Sequence, residues 1–273
     1  MRCIFCRGDT TGSVSREHIV PESLGNTLWL LPRGVVCDKC NNYFSREVEK
    51  PFLMSPAVRS LRFSQELENK RGRVPSIPGL IMPDVPVMVT RHPRINLTSI
   101  DVPQASFERV AGMKDGSLIL PLGGREPPER VTSRFMAKVA IEALAERIIS
   151  HDGGQDYICD EGQLDLLRDH ARIGRTSRWP VYARTIYDAN AKVSVAGGPP
   201  EQLVHEFDFL PTLWGEWFFT LALFGLELTI NIGGPDIEGY ERWLRENNNI
   251  SPLYRLEKPG SYPMPTSTND ESA

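Results

Sequence analysis

The chain has 273 residues, of which 40% are hydrophobic and 24% charged, proportions of an ordinary globular protein with room for one large core or two smaller ones. No stretch approaches the roughly 18 apolar residues of a membrane span, and the first residues are polar and charged rather than an apolar leader, so a cytoplasmic protein without membrane contact is expected. The net charge of −4 is unevenly spread: residues 1–73 carry 12 Lys and Arg against 8 Asp and Glu, and the other 200 residues carry 19 against 27.

Helical spacing predicts a short helix over residues 41–50, stopped by Pro51, and an amphipathic one over 55–69 with Val58, Leu61, Phe63 and Leu67 on one face. Pro75, Pro78, Pro83 and Pro86 then follow Arg71-Gly72-Arg73, and a domain boundary is expected there, after residue 72. Short runs at 85–90, 95–100 and 117–120 read as strands. Residues 133–150 read as a strong helix with Ser133 as cap, and 161–170 as a shorter one. Strand-like runs recur at 181–187, 214–223 and 227–232, ahead of a last helix at 237–246. The fold class is therefore α+β, with domains at 1–72 and 73–258 and a disordered tail at 259–273. Residues 73–258 hold no motif that states their role; His92, His151, His170 and His205 lack ligand spacing, and the aromatic run from Trp214 to Phe219 reads as core strand.

Four of the five cysteines form two Cys-x-x-Cys pairs, Cys3/Cys6 and Cys37/Cys40. Paired knuckles of this spacing hold structural zinc through four thiolates, which also fits a reduced compartment. Cys159, alone, reads as an inert thiol. Between the pairs lies Ser15-Arg16-Glu17-His18-Ile19-Val20-Pro21-Glu22-Ser23-Leu24-Gly25-Asn26, and Cys40 runs directly into Asn41-Asn42. A neutral imidazole such as that of His18 can take a proton from water near neutral pH, whereas carboxylate and amide oxygens suit a hard divalent cation.

The combination Glu-His-Ile-x-Pro inside a Cys-x-x-Cys frame that ends in Cys-Asn resembles the HNH endonucleases, in the subgroup whose ββα-metal finger is supported by a four-Cys zinc knuckle. The resemblance covers residues 1 to about 50 and implies an N-terminal ββα-metal finger followed by a mixed α+β domain. It implies a DNA endonuclease in which His18 is the general base, Glu17 and Asn41 hold a catalytic Mg²⁺ or Mn²⁺, and Cys3, Cys6, Cys37 and Cys40 hold the zinc. Genome defence or mobile-element biology is the setting the family suggests. Where such families place an Asn nine residues before the last ligand, this chain has Pro32; Asn26 is the candidate to hold the connecting loop instead. In a regular strand Glu17 and His18 point to opposite sides. Arg16 and Lys39 flank the site as candidate phosphate contacts, and Asn42, Ser45 and Glu49 as candidate helpers of the ligand set. Two other readings stand beside this one: a zinc-knuckle module that binds nucleic acid without cutting, and a sensor whose C-terminal domain recognises a ligand, a regulatory partner or a second copy and uses the finger as output.

Overall fold

The structure is a computed structural model that describes residues 1–122, 127–174, 178–194 and 198–254. The tail expected over 259–273 lies outside the described residues. The fold divides into two compact units that interleave in sequence: one comprises residues 1–20, 26–49 and 128 onward, the other residues 21–25 and 50–127. A single cut after residue 72 falls inside the second of these.

The N-terminal segment builds a short hairpin followed by a helix. His18 and Leu30 form an antiparallel bridge, with Ile19 N–H donating to the Trp29 carbonyl at 3.1 Å and Leu31 N–H to the Glu17 carbonyl at 2.9 Å. Helix α1 (Asp38–Phe44) follows and passes through a π-helical turn at Ser45–Glu49 into α2 (Lys50–Leu53). The expected stop at Pro51 is thus overturned. Proline has no N–H to give the Glu47 carbonyl four residues back, but Arg134 Nη1 donates to that carbonyl at 3.3 Å, and the wide turn absorbs the misfit. Helix α3 (Pro56–Ser64) is shorter than predicted and starts on a proline, which suits a first helical turn.

The second unit is built on an antiparallel sheet of β1 (Ile77–Ile81), β2 (Val85–His92), β3 (Leu97–Asp101) and β4 (Leu118–Ile119), in the order β3-β2-β1-β4, with the short helix α4 (Phe107–Ala111) between the last two. Strand β1 occupies the proline-rich run in which sequence reading places a domain boundary. Pro78 and Pro86 fit because each lies where one side of its strand is unpaired: β4 reaches only Leu80 and Ile81, and β3 reaches β2 only from Met88 onward. Phe63, Val74, Ile77, Ile81, Val85, Val87 and Val89 form this unit's core.

The first unit continues through α5 (Glu129–Ile148), α6 (Gly154–Asp160) and α7 (Asp165–Ile173). A second antiparallel sheet, in the order β5-β10-β9-β8, comprises β5 (Val181–Thr185), β8 (His205–Pro211), β9 (Trp217–Leu223) and β10 (Leu226–Asn231); β6 (Lys192–Val193) and β7 (Glu201–Gln202) pair separately, and α8 (Glu238–Glu246) follows. Phe218 and Phe219 are core residues of β9, as read from sequence, whereas Trp214 and Trp217 are exposed. Helix α5 is not amphipathic in place. From Phe135 to Ala143 every side chain is buried, including Lys138 and Glu142. It begins four residues before the expected cap, because Pro128 delivers an extended entry to the first turn; Ser133 lies inside it, 2.8 Å from His170 Nε2 on α7. Among the described residues no helix is long and apolar enough to cross a membrane.

Burial lowers His170 to about 4, with the charges of Arg134 and Arg130 acting the same way, and burial alone lowers His205 to about 4. Both are neutral in the fold at pH 7. Since the unfolded imidazole titrates near 6.5, the unfolded state binds more protons below that pH, and stability is expected to fall as pH drops from 6.5 towards 4. Urea midpoints measured across that range check this; in His170→Gln the fall should be smaller, and an identical slope would refute the assignment to His170.

Candidate active site on a four-cysteine frame

Cys3 opens a tight knuckle in which Arg7 N–H returns to the Cys3 carbonyl at 2.8 Å and Cys3 N–H donates to the Gly8 carbonyl at 2.9 Å. The second pair straddles the start of α1: Cys37 is its N-cap, and its sulfur accepts from Cys40 N–H at 3.4 Å. All four Sγ atoms lie within 4.8 Å of one another. Ligands about 2.3 Å from a central tetrahedral ion stand about 3.8 Å apart, and Cys6 Sγ and Cys37 Sγ are 3.7 Å apart. The set is thus compatible with zinc. The bond from Cys40, with Cys6, Cys37 and Phe5 amides assisting, draws Cys3 down to about 4, against burial. That same bond and burial push Cys40 far up. At the start of α1 the amides of Cys37 and Cys40 donate to Cys3 Sγ and Cys37 Sγ, each at 3.4 Å, and the Asn41 N–H makes the first helical bond, to the Cys37 carbonyl at 3.0 Å.

The hairpin carries Glu17 and His18, and its loop is held by one side chain. Asn26, fully buried, donates from Nδ2 to the Val20 carbonyl at 2.7 Å and the Trp29 carbonyl at 2.9 Å, while its Oδ1 accepts from the amides of Leu28 at 3.0 Å and Trp29 at 2.8 Å. Four backbone bonds from a single amide replace the interaction that Pro32 cannot make. Asp38, the first residue of α1, accepts from the backbone amides of Val14 and Ser15 and from the Ser15 hydroxyl. Asn41, one turn on, donates from Nδ2 to the Arg16 carbonyl at 3.4 Å. The helix therefore fixes the strand directly before Glu17 and His18.

Strand alternation separates the two: Glu17 is buried and His18 half-buried. The Glu17 carboxylate points into a site that sequence reading did not anticipate. Lys138 Nζ of α5, wholly buried, lies 2.8 Å from Glu17 Oε1, 2.8 Å from Glu49 Oε1 and 2.9 Å from Glu142 Oε2, and donates to the His18 carbonyl at 2.9 Å. Burial alone would push this ammonium down, but the charges of Glu142, Glu17 and Glu49 outweigh it and leave its pKa well above the usual lysine range. Three carboxylates around one ammonium cannot all stay ionised out of water. Glu142, 0% exposed, is the one that burial drives well above the usual carboxylate range, against the pull of Lys138. A legible signal existed in sequence, the spacing of Lys138 and Glu142 by one turn within an otherwise apolar run, but nothing local pairs them with Glu49, 89 positions from Lys138, or with the Glu17-His18 pair still further back.

The rest of the finger docks on the same helical layer. Arg2 pairs with Asp156 at 2.8 Å and Asp160 at 2.7 Å. Gln155 Nε2 donates to the Arg2 and Gly34 carbonyls at 2.5 and 3.1 Å, and Arg168 Nε to the Ile4 carbonyl at 2.8 Å. Cys159 is buried, its thiol pushed up by burial and donated to the carbonyls of Arg2 and Cys3, which suits an inert residue. Of the flanking candidates, Arg16, Lys39, Asn42 and Ser45 are exposed, while Glu49 belongs to the Lys138 cluster.

The hairpin-and-helix motif closed by four cysteines defines a zinc-compatible ββα finger. Residues 3–57, roughly the first fifth of the chain, match the family model described as HNH endonuclease. No curated protein and no solved structure matches the chain.

Proposed function

We propose that the protein is a metal-dependent endonuclease that hydrolyses DNA phosphodiester bonds, with His18 as the general base. The observation that carries this reading is the convergence of independent restraints on one dipeptide. Asn26 holds the hairpin loop, Asn41 and Asp38 tie the preceding strand to α1, and Lys138 grips both the Glu17 carboxylate and the His18 carbonyl. A half-buried imidazole held on so fixed a backbone is suited to taking a proton from an attacking water. Zinc would sit among Cys3, Cys6, Cys37 and Cys40 in a structural role. Glu17 and Asn41 are the oxygen donors for Mg²⁺ or Mn²⁺, which commonly takes one or two protein ligands and completes its shell with water and substrate phosphate; such an ion would neutralise charge on the scissile phosphate and its leaving oxygen. Lys138 holds the Glu17 carboxylate at 2.8 Å, so an ion bound there would have to compete with the ammonium. A cytoplasmic location, a role in genome defence or mobile-element biology, and oligomeric or regulatory contacts of the C-terminal region belong to the same proposal.

The hold of Lys138 on Glu17 also favours a second reading, a zinc module that binds nucleic acid without cutting it. Incubation of the purified chain with supercoiled plasmid, with and without Mg²⁺ or Mn²⁺, separates the two. Cleavage that needs the added ion, and that falls by about 10²–10⁴-fold in His18→Ala at unchanged zinc content, supports the nuclease. Retained DNA binding with no cleavage under any divalent ion supports the second reading, and full activity in His18→Ala places the base elsewhere.

A further inference from the structure

In the second unit a cleft of about 540 Å³ lies where β2 runs into the turn at Pro93–Ile95 and where the chain leads into β1; Arg73, Ser76, Thr90, Arg91, His92 and Arg94 are among its lining residues. One wall is a loop shaped by Asn69. The Asn69 Oδ1 accepts from the amides of Arg71 at 2.8 Å and Arg73 at 3.3 Å, and the Asn69 backbone closes the turn with Gly72 N–H at 2.8 Å and the Arg73 carbonyl at 2.9 Å. Gly72 has φ +66°, and a Cβ there would stand 2.7 Å from Arg94 Nη2, so glycine lets the Arg94 guanidinium lie directly against the loop. Lys70, Arg71 and Arg73 are thus presented on an ordered turn; all three are exposed and have no acidic partner among the described residues. On the β2 side, Arg91 is fixed by the Ser64 carbonyl and Glu66 at 3.2 Å and by the Phe63 ring at 4.9 Å, and Arg94, packed on Gly72, by Glu68 at 2.7 Å.

We propose that this cleft grips the phosphodiester backbone of duplex DNA and supplies affinity that the finger lacks; the proposal rests on the reading of the chain as acting on DNA. Five cations here face two acids, in a chain whose net charge is −4, so this surface attracts a polyanion that the molecule as a whole repels. The finger cannot do this alone, since residues 1–50 hold seven Lys and Arg against six Asp and Glu. Arg73, Arg91 and Arg94 line the cleft, and Lys70 and Arg71 precede Arg73 on the loop that forms its wall; cations drawn from two turns suit a row of phosphates over a single enclosed anion. The cleft hydroxyls, Ser76 and Thr90 at 2.6 Å from each other, add donors of the kind that contact phosphate oxygens.

The test uses the full chain carrying His18→Ala, so that binding is read without cutting, and measures anisotropy of a labelled 20-base-pair duplex (about two helical turns) between ~50 and ~200 mM salt. Adding Lys70→Ala, Arg71→Ala and Arg73→Ala should flatten the log–log salt slope by about 2–3 and weaken binding on the order of 100-fold at ~0.15 M salt, because each lost phosphate contact removes about 0.9 from the slope. A charge-matched control, Lys114→Ala with Lys192→Ala and Arg245→Ala at exposed positions elsewhere, should move both far less. A triple variant that binds like its parent, or no worse than the control, overturns the cleft. So does a parent chain that binds no duplex. Whether the nuclease reading then fails is decided separately by plasmid cleavage with the wild-type chain.

Discussion

Lys138→Met is expected to lose most of the protein's stability at pH 7, and with it any cleavage. Methionine matches the lysine stem in length but leaves Glu17, Glu49 and Glu142 facing one another with 5%, 13% and 0% of their side chains exposed. Removing one partner of a buried ion pair costs about 3–5 kcal/mol, against a total of about 5–15 kcal/mol for a typical domain, and here one cation serves three acids. The sign of the pH dependence distinguishes this cause from simple misfit of the side chain. Without the ammonium nothing opposes the burial that drives the Glu142 carboxyl up, so the folded variant binds more protons than the unfolded chain. Its stability must therefore rise as pH falls towards the unfolded carboxyl range near 4.5. Urea midpoints of the variant at pH 7 and pH 5 should show partial recovery at the lower value, beyond any change in the wild type. Adding Glu142→Leu to Lys138→Met should also recover stability, by deleting the most deeply buried acid. A wild-type midpoint in the single variant at pH 7 would show that the cluster is not held by this charge.

The finger was legible because its chemistry is written in short-range spacing. Cys3 to Cys6 and Cys37 to Cys40 are knuckle intervals, Glu17 and His18 are adjacent, and Asn26 lies close enough to the hairpin to stand in for the residue that Pro32 displaced. Three kinds of information were not local. Pro51 reads as a helix stop unless one knows that Arg134 supplies the missing donor to the Glu47 carbonyl. Strand β1 reads as a domain boundary because Pro78 is judged without knowing that β4 pairs only its far end. Lys138 draws no notice within the helix expected over 133–150, because only burial on every side of α5 makes its partners compulsory. The dependence of the finger on the rest of the chain was foreseeable from its modest charge, but that argument concerns affinity for DNA. Lys138, Gln155 and Arg168 give a second and stronger reason, since a fragment ending at residue 72 lacks the groups that satisfy Glu17, Arg2, Gly34 and Ile4.

The same interdependence sets the largest expected effect, that of removing the metal. Structural zinc in finger peptides contributes about 10–16 kcal/mol at neutral pH, comparable with or greater than the whole stability of an ordinary domain. Here the four-cysteine frame also positions residues that do not touch it: Arg2 and Arg7 next to Cys3 and Cys6 reach the ion pairs with Asp156, Asp160 and Asp165, and Cys37 caps the helix whose Asp38 and Asn41 hold the strand of Glu17. Loss of the ion should therefore propagate from the knuckle into the α6 and α7 contacts and into the candidate active site at once. Elemental analysis of washed protein should give about one zinc per chain. Cys37→Ser should abolish that content and bring a loss of tertiary structure well beyond the finger, read as a lowered melting temperature and the exposure of backbone amides of α6 to hydrogen exchange. Cys159→Ser should keep zinc at the wild-type level, because that thiol donates to carbonyls and does not face the other four sulfurs. A Cys37→Ser protein with full zinc and a wild-type melt would overturn the frame, and a protein that loses its zinc but keeps protected α6 amides would show that the finger and the helical layer fold independently.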